Sequence, residues 1–221
     1  MEGKKTTMAK RRRLQIGSAG ISLKLILLGD GGVGKTTLVK SWMDQTLRSD
    51  YLMTVGVDIS VKEFILEDGN RVKLTVSDIA GQERFAQFRS IFFGGANLAF
   101  LVFDVTRRES LDNLETEWLP QLLPTLSDPK FSLGLIANKV DLSAQRQIQR
   151  SEVQLAYKRL KKRFPMIRWI GYLETSALTK HNVQLAFHKI STEYFSSSKE
   201  DLGDMSAPRI KADRIGPKPN P

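Results

Sequence analysis

Gly29, Gly34, Lys35 and Thr36 fall at the spacing G-x-x-x-x-G-K-T within the run Gly29-Asp30-Gly31-Gly32-Val33-Gly34-Lys35-Thr36. Glycines so placed let consecutive backbone N–H groups close around an anion, because they adopt dihedrals that a Cβ forbids and allow close approach. The lysine adds a charge that reaches the outer phosphates of a nucleotide, and the hydroxyl after it is a ligand for a hard cation. The run reads as a phosphate-binding loop, with Gly29, Gly31, Gly32, Val33, Gly34, Lys35, Thr36 and Thr37 around the phosphates. The apolar stretch Lys24–Leu28 before it and the helical run Thr37–Trp42 after it supply the strand and helix the motif needs. The helix adds the positive end of its dipole.

A phosphate loop does not choose a base. Asn138-Lys139-Val140-Asp141 follows the apolar stretch Ser132–Ala137, which places it at the carboxyl edge of an open α/β sheet, where ligands bind. The Asp141 carboxylate can accept from two donors that guanine offers, N1–H and the 2-amino group, and that adenine lacks. A buried carboxylate left unpaired by the wrong base is costly, so this readout is sharp. Asn138 then ties base to loop, and the Lys139 stem covers the ring. The two motifs together make GTP and GDP the expected ligands.

The elements that position these residues follow from the apolar pattern. Strands are expected at Lys24–Leu28, Ser60–Leu66, Arg71–Ser77, Ala99–Asp104, Ser132–Ala137 and Arg168–Glu174, alternating with helices up to about Phe195. That alternation implies a parallel sheet covered on both faces, and the hairpin signal Glu67-Asp68-Gly69-Asn70 adds one antiparallel edge strand. The expected fold class is therefore α/β, a P-loop NTPase with a six-stranded, mostly parallel sheet. Ser151-Glu152-Val153-Gln154 reads as a capping box opening a helix that buries Val153, Tyr157, Leu160 and Phe164. Lys158, Arg159, Lys161, Lys162 and Arg163 on that helix read as a solvated face.

With these motifs quoted, the chain resembles the Ras superfamily of small GTPases, most closely its Rab branch, over about Leu23–Phe195. Met53-Thr54-Val55-Gly56-Val57-Asp58 looks like the first switch, Asp78-Ile79-Ala80-Gly81-Gln82-Glu83-Arg84-Phe85 like the second, and Glu174-Thr175-Ser176-Ala177 like the last guanine loop. The resemblance implies that Thr36, Thr54 and Asp78 hold Mg²⁺ and that Gly81 offers its N–H to the γ-phosphate. Gln82 would orient the attacking water, with Lys35 and Thr54 beside it in catalysis, while Ser176 and Ala177 line the base. Leu47 takes the place of an aromatic residue that lies across the guanine, which implies faster spontaneous exchange. Ser77 and Ile59 replace aromatic residues of the Rab effector surface, and the chain has no cysteine for a C-terminal lipid. No arginine stands in the phosphate loop or first switch, so turnover alone should be slow, about 10⁻⁴ s⁻¹ as for Ras. A GTPase-activating protein, an exchange factor and effectors are the implied partners.

The remaining composition bounds the class. With 221 residues, 41% hydrophobic and 26% charged, the chain fits one folded domain with tails. The expected organisation is a basic arm over residues 1–20, the GTPase domain over 21–195 and a flexible tail over 196–221. The longest apolar run, Leu98–Phe103, is far shorter than the roughly 18 residues of a spanning helix. No secretory signal is read at the start of the chain, so the expected location is cytoplasmic, as a monomer without a lipid anchor. Half of the net charge of +10 sits in the arm, through Lys4, Lys5, Lys10, Arg11, Arg12 and Arg13 against Glu2. Such an arm can make weak contact with an anionic membrane or nucleic acid, and a solvated leader is the plainer reading. A nucleotide-bound scaffold that scarcely cycles, and a P-loop kinase or ATPase, are the competing readings of the core.

Overall fold

The structure, a computed structural model, describes residues 20–46, 54, 56–81 and 86–204. Leu47, Met53, Val55, Gln82 with the rest of 82–85, the arm before residue 20 and the tail from 205 lie outside the described residues. Within them the chain runs β1 (Ile21–Leu28), α1 (Lys35–Trp42), β2 (Val57–Ile65), β3 (Arg71–Ile79), α2 (Ala86–Phe93), β4 (Leu98–Asp104) and α3 (Arg108–Asn113). It continues through α4 (Leu119–Leu122), β5 (Ser132–Asn138), α5 (Arg150–Arg163), β6 (Arg168–Glu174) and α6 (Val183–Asp204).

The strands form one six-stranded sheet in the order β2-β3-β1-β4-β5-β6. Only β2 runs antiparallel, on β3 at the sheet edge, and the other pairings are parallel. The unbroken apolar runs explain which strands are central, since β1, β4 and β5 are covered on both faces and gain from apolar residues at every position. Along β1 the pleat sends Ile26 and Leu28 into one core and Leu25 and Leu27 into the other. On the first side lie Leu114, Trp118 and Leu119, with Val153 and Leu160 of α5. On the second, Trp42 of α1 stacks on Phe187 of α6 at 4.4 Å between ring centroids. Helices thus cover both faces, as the alternation of elements requires.

Three local features refine the expected elements. The β2–β3 turn closes through Leu66 N–H to the Asn70 carbonyl at 2.9 Å, with Gly69 at φ +83° where a side chain would be strained. The cap of α5 is Gln149 rather than Ser151, because the Glu152 carboxylate reaches back to the Gln149 N–H at 2.8 Å. A charged acceptor makes the stronger bond, so the helix starts at Arg150 and takes Ser151 inside. Val153 and Leu160 of α5 and Phe164 at its C-terminal cap are buried and Tyr157 is half-buried, while the five basic residues are exposed. Two of those five, Arg159 and Arg163, pair with Glu115.

The last helix continues to Asp204, past Phe195, since residues 196–202 contain neither proline nor glycine and Gly203 falls only in its final turn. Ser196 stays in register by donating its hydroxyl to the Thr192 carbonyl at 3.0 Å. Between α3 and α4, residues Leu114–Trp118 form a π-helical turn, in which Leu119 N–H reaches back to the Leu114 carbonyl. Pro120 has no N–H to restore the regular ladder, and the extra residue in the turn changes where Trp118 points. Its indole goes toward the loop after β1.

Candidate functional site

The ends of β1, β3, β4, β5 and β6 meet at one edge of the sheet, and the sequence motifs sit there. The phosphate loop leaves β1 at Gly29, whose φ is +141° and where an added Cβ would stand 2.0 Å from the Val102 carbonyl oxygen. It enters α1 at Gly34, φ +98°, where a Cβ would meet the Asn138 side-chain nitrogen at 2.4 Å. Neither place tolerates a side chain. No side chain caps α1, and the first-turn N–H groups of a helix, here Thr36 and Thr37 among them, have no intrahelical acceptor, which leaves them for an anion.

Lys35 is buried at 6% exposure, and the loop curls around its ammonium. Nζ donates to the Gly29 carbonyl at 2.5 Å and to the Asp30 carbonyl at 3.0 Å. Burial lowers its pKa to about 8, against the opposing pull of Asp78 and Asp30. A buried cation with mostly dipolar partners is a strong attractor for a phosphate.

Beside it, Asp78 at the end of β3 is 1% exposed and its carboxyl is pushed up by burial, against the Thr36 hydrogen bond and the Lys35 charge. The Thr36 hydroxyl donates to Asp78 Oδ2. Thr54 Oγ1 lies 2.6 Å from Thr36 Oγ1 and 3.3 Å from Asp78 Oδ2. Asp78 Oδ1 is buried without a partner. Two hydroxyls and one carboxylate, one of whose oxygens is left without a partner, are the kind of oxygen set that Mg²⁺ takes when phosphates complete its shell. Among the described residues no cluster of three or more His, Cys, Asp or Glu offers another kind of metal site. Gly81 packs directly on the loop, since a Cβ there would stand 2.4 Å from the Asp30 carbonyl carbon and 2.5 Å from Gly31 N.

The base-reading end is joined to the phosphate end through Asn138, which is fully buried. Its Nδ2 donates to the Val33 carbonyl at 2.9 Å, and its Oδ1 accepts from the Thr175 hydroxyl at 3.0 Å and Ala177 N–H at 3.2 Å. Ser176, buried beside them, accepts from Thr179 N–H at 3.0 Å. Lys139, at φ +69°, sends Nζ to Asp104 Oδ2 at 2.6 Å. Burial opposes ionisation of Asp104, but hydrogen bonds from Lys139 and Thr106 outweigh it and hold the carboxyl below its usual range. Asp141 is half-buried, and no hydrogen bond or ion pair among the described residues engages its carboxylate.

The structure thus brings together Gly29, Gly34, Lys35, Thr36, Thr54, Asp78, Gly81, Asn138, Lys139, Asp141, Ser176 and Ala177. Leu47 and Gln82 lie outside the described residues. Three residues outside the loop, which the motifs did not flag, also reach it. The Asp30 carboxylate accepts from Trp118 Nε1 and from Asn113 Nδ2, each at 2.9 Å, and Arg107 Nη2 donates to the Gly31 carbonyl at 3.0 Å. An acid inside a phosphate loop needs donors elsewhere, which is a signal for Asp30. One of those donors, Trp118, is placed by the π turn, which a helical period of 3.6 misplaces.

Comparison with known proteins agrees with this geometry. A model of the Ras family matches residues 24–196. The chain is 36% identical over 171 residues to Ras-related protein RABC2a of Arabidopsis thaliana, covering 77% of each. It is 35% identical over 199 residues to the Ypt/Rab-type GTPase ypt7 of Schizosaccharomyces pombe, covering 88% of this chain and 89% of that one. With Ras-related protein Rab-13 of Rattus norvegicus it shares 32% over 198 residues, 89% and 92% of the two chains. A match this long, on a sheet whose carboxyl edge carries the phosphate loop and the guanine motif, means that the chain belongs to the Ras family, as a small GTPase of the Rab branch.

Proposed function

We propose that this chain binds GTP and GDP with Mg²⁺ at the carboxyl edge of the sheet and alternates two switch segments as GTP is hydrolysed, in trafficking-type regulation. The observation that carries the reading is the Asn138 staple. It fixes the phosphate loop, through Val33, beside the segment that carries a half-buried aspartate whose carboxylate has no partner among the described residues. A guanine nucleotide spans those two ends.

Each residue then has a task. Lys35 neutralises the outer phosphates, and the loop N–H groups hold their oxygens. Thr36, Thr54 and Asp78 would hold Mg²⁺, which when bound neutralises charge on the phosphate oxygens. Gly81 has no side chain between its N–H and the γ-phosphate, and Gln82 orients the water. The γ-phosphate would give Thr54 and Gly81 a partner that is lost on hydrolysis, which frees both segments. The face that changes includes β2, where Ile59, Val61 and Ile65 are exposed. Aliphatic residues there suit effectors that differ from those of relatives with aromatic residues. An activating protein and an exchange factor set the timing.

Competition against labelled GDP tests the reading. Unlabelled GTP and GDP should displace it at equal concentration, and ATP should leave it bound even at about 100-fold excess. Displacement by ATP as readily as by GTP would contradict the role given to Asp141.

A further inference from the structure

Arg107 belongs to no sequence motif, yet the loop that carries it is tightly fixed. Asp104 Oδ1 accepts from Thr106 N–H at 2.9 Å and from the Thr106 hydroxyl at 2.7 Å. The Ser110 hydroxyl donates to the Arg107 carbonyl at 2.6 Å, and the Gln147 and Ile148 N–H groups both donate to the Val105 carbonyl, at 2.9 and 3.1 Å. Held in this way, Arg107 sends its guanidinium across to the phosphate loop. Nη2 donates to the Gly31 carbonyl at 3.0 Å and lies 3.8 Å from Asp30 Oδ2, while Nε is buried without a partner.

The Asp30 carboxylate does not need this charge, because each of its oxygens already accepts a hydrogen bond, from Trp118 and from Asn113. The contact that remains is with the Gly31–Gly32 peptide. In a trans peptide the Gly31 carbonyl and the Gly32 N–H point in opposite directions, so a cation on the carbonyl holds that N–H turned away from it. A charged donor on the carbonyl also polarises the same amide and makes its N–H a stronger donor. Gly81, to which the third phosphate is given, packs on the adjoining Asp30–Gly31 peptide, where a Cβ would stand 2.4 Å from the Asp30 carbonyl carbon and 2.5 Å from Gly31 N, so the peptide held by Arg107 is the next one along the loop.

We propose that Arg107 is a positioning residue built into the chain: by holding the Gly31–Gly32 peptide from its carbonyl side, it strengthens the γ-phosphate end of the site without touching the nucleotide. This rests on the GTP-switch reading. It differs from an arginine supplied by an activating protein, which enters the site itself.

The test uses the full chain and the variants Arg107→Ala, Arg107→Gln and Arg107→Lys, with dissociation constants for GDP and for a non-hydrolysable GTP analogue, and single-turnover hydrolysis of bound GTP. Arg107→Ala should lower the preference for the analogue over GDP by about tenfold, the worth of one hydrogen bond to a charged group, and slow hydrolysis by a similar factor. GDP affinity should stay within about twofold, because only the γ end is affected. Arg107→Lys, which keeps the charge, should recover part of the preference, and the neutral Arg107→Gln should recover less. Equal losses for both nucleotides would make Arg107 a structural tether and overturn the proposal, as would an unchanged preference in Arg107→Ala, or an Arg107→Gln equal to the native chain. If the native chain left its bound GTP intact, the GTPase reading would fall, while the affinity ratio would still decide the role of Arg107.

Discussion

Lys35→Ala should weaken GTP binding by about 100-fold or more while leaving the thermal midpoint of the nucleotide-free chain nearly unchanged. The ammonium is buried, its pKa is lowered to about 8, and its partners are the carbonyls of Gly29 and Asp30. In the free chain, two effects of removing it oppose each other. Two carbonyls lose a donor, and a costly buried charge disappears. With a nucleotide bound nothing offsets the loss, because the phosphates lose a charge-assisted hydrogen bond of about 1.5–3 kcal/mol together with its Coulomb attraction. Titration calorimetry and a melt of the free protein separate the two. A GTP affinity within about threefold of the native value would mean that Lys35 does not meet the phosphates.

Asp141→Asn should also reduce guanine-nucleotide affinity by about 100-fold, with stability preserved. The carboxylate has no protein partner among the described residues, so its replacement removes no internal bond. Asparagine keeps one acceptor but puts an amino donor in place of the second, where guanine presents N1–H and an amino group, and two donors facing each other are repulsive. The variant should discriminate poorly between GTP and ATP. A large fall in thermal midpoint alongside the lost affinity would show Asp141 to be structural instead.

Most of what sets these two predictions was legible in the sequence. The apolar runs that became β1, β4 and β5 are unbroken because both faces are covered, so their places could be read without the fold. Glycine spacing announced the loop because few other sequences bring backbone N–H groups together. Part of what was not legible lies in contacts between distant segments, and part in local patterns that compete. Arg107 reaches Gly31 only because β4 lies beside β1 in the sheet, and nothing in local spacing records that neighbour. Trp118 reaches Asp30 through a π turn, where a period of 3.6 gives the wrong direction. The α5 cap moved from Ser151 to Gln149 because two overlapping patterns compete there, and the one with a carboxylate at its third helical position prevails. The run of α6 to Asp204 was hidden by a serine-rich composition that suggests a tail but contains no breaker before Gly203.

Whether the site turns over GTP is decided by single-turnover release of phosphate from the GTP-loaded chain with Mg²⁺. The native chain should release phosphate slowly, on the order of 10⁻⁴ s⁻¹, and Gln82→Leu should do so at least about tenfold more slowly with unchanged nucleotide affinity. Equal, near-zero rates in both would contradict the account and leave a nucleotide-bound scaffold in its place.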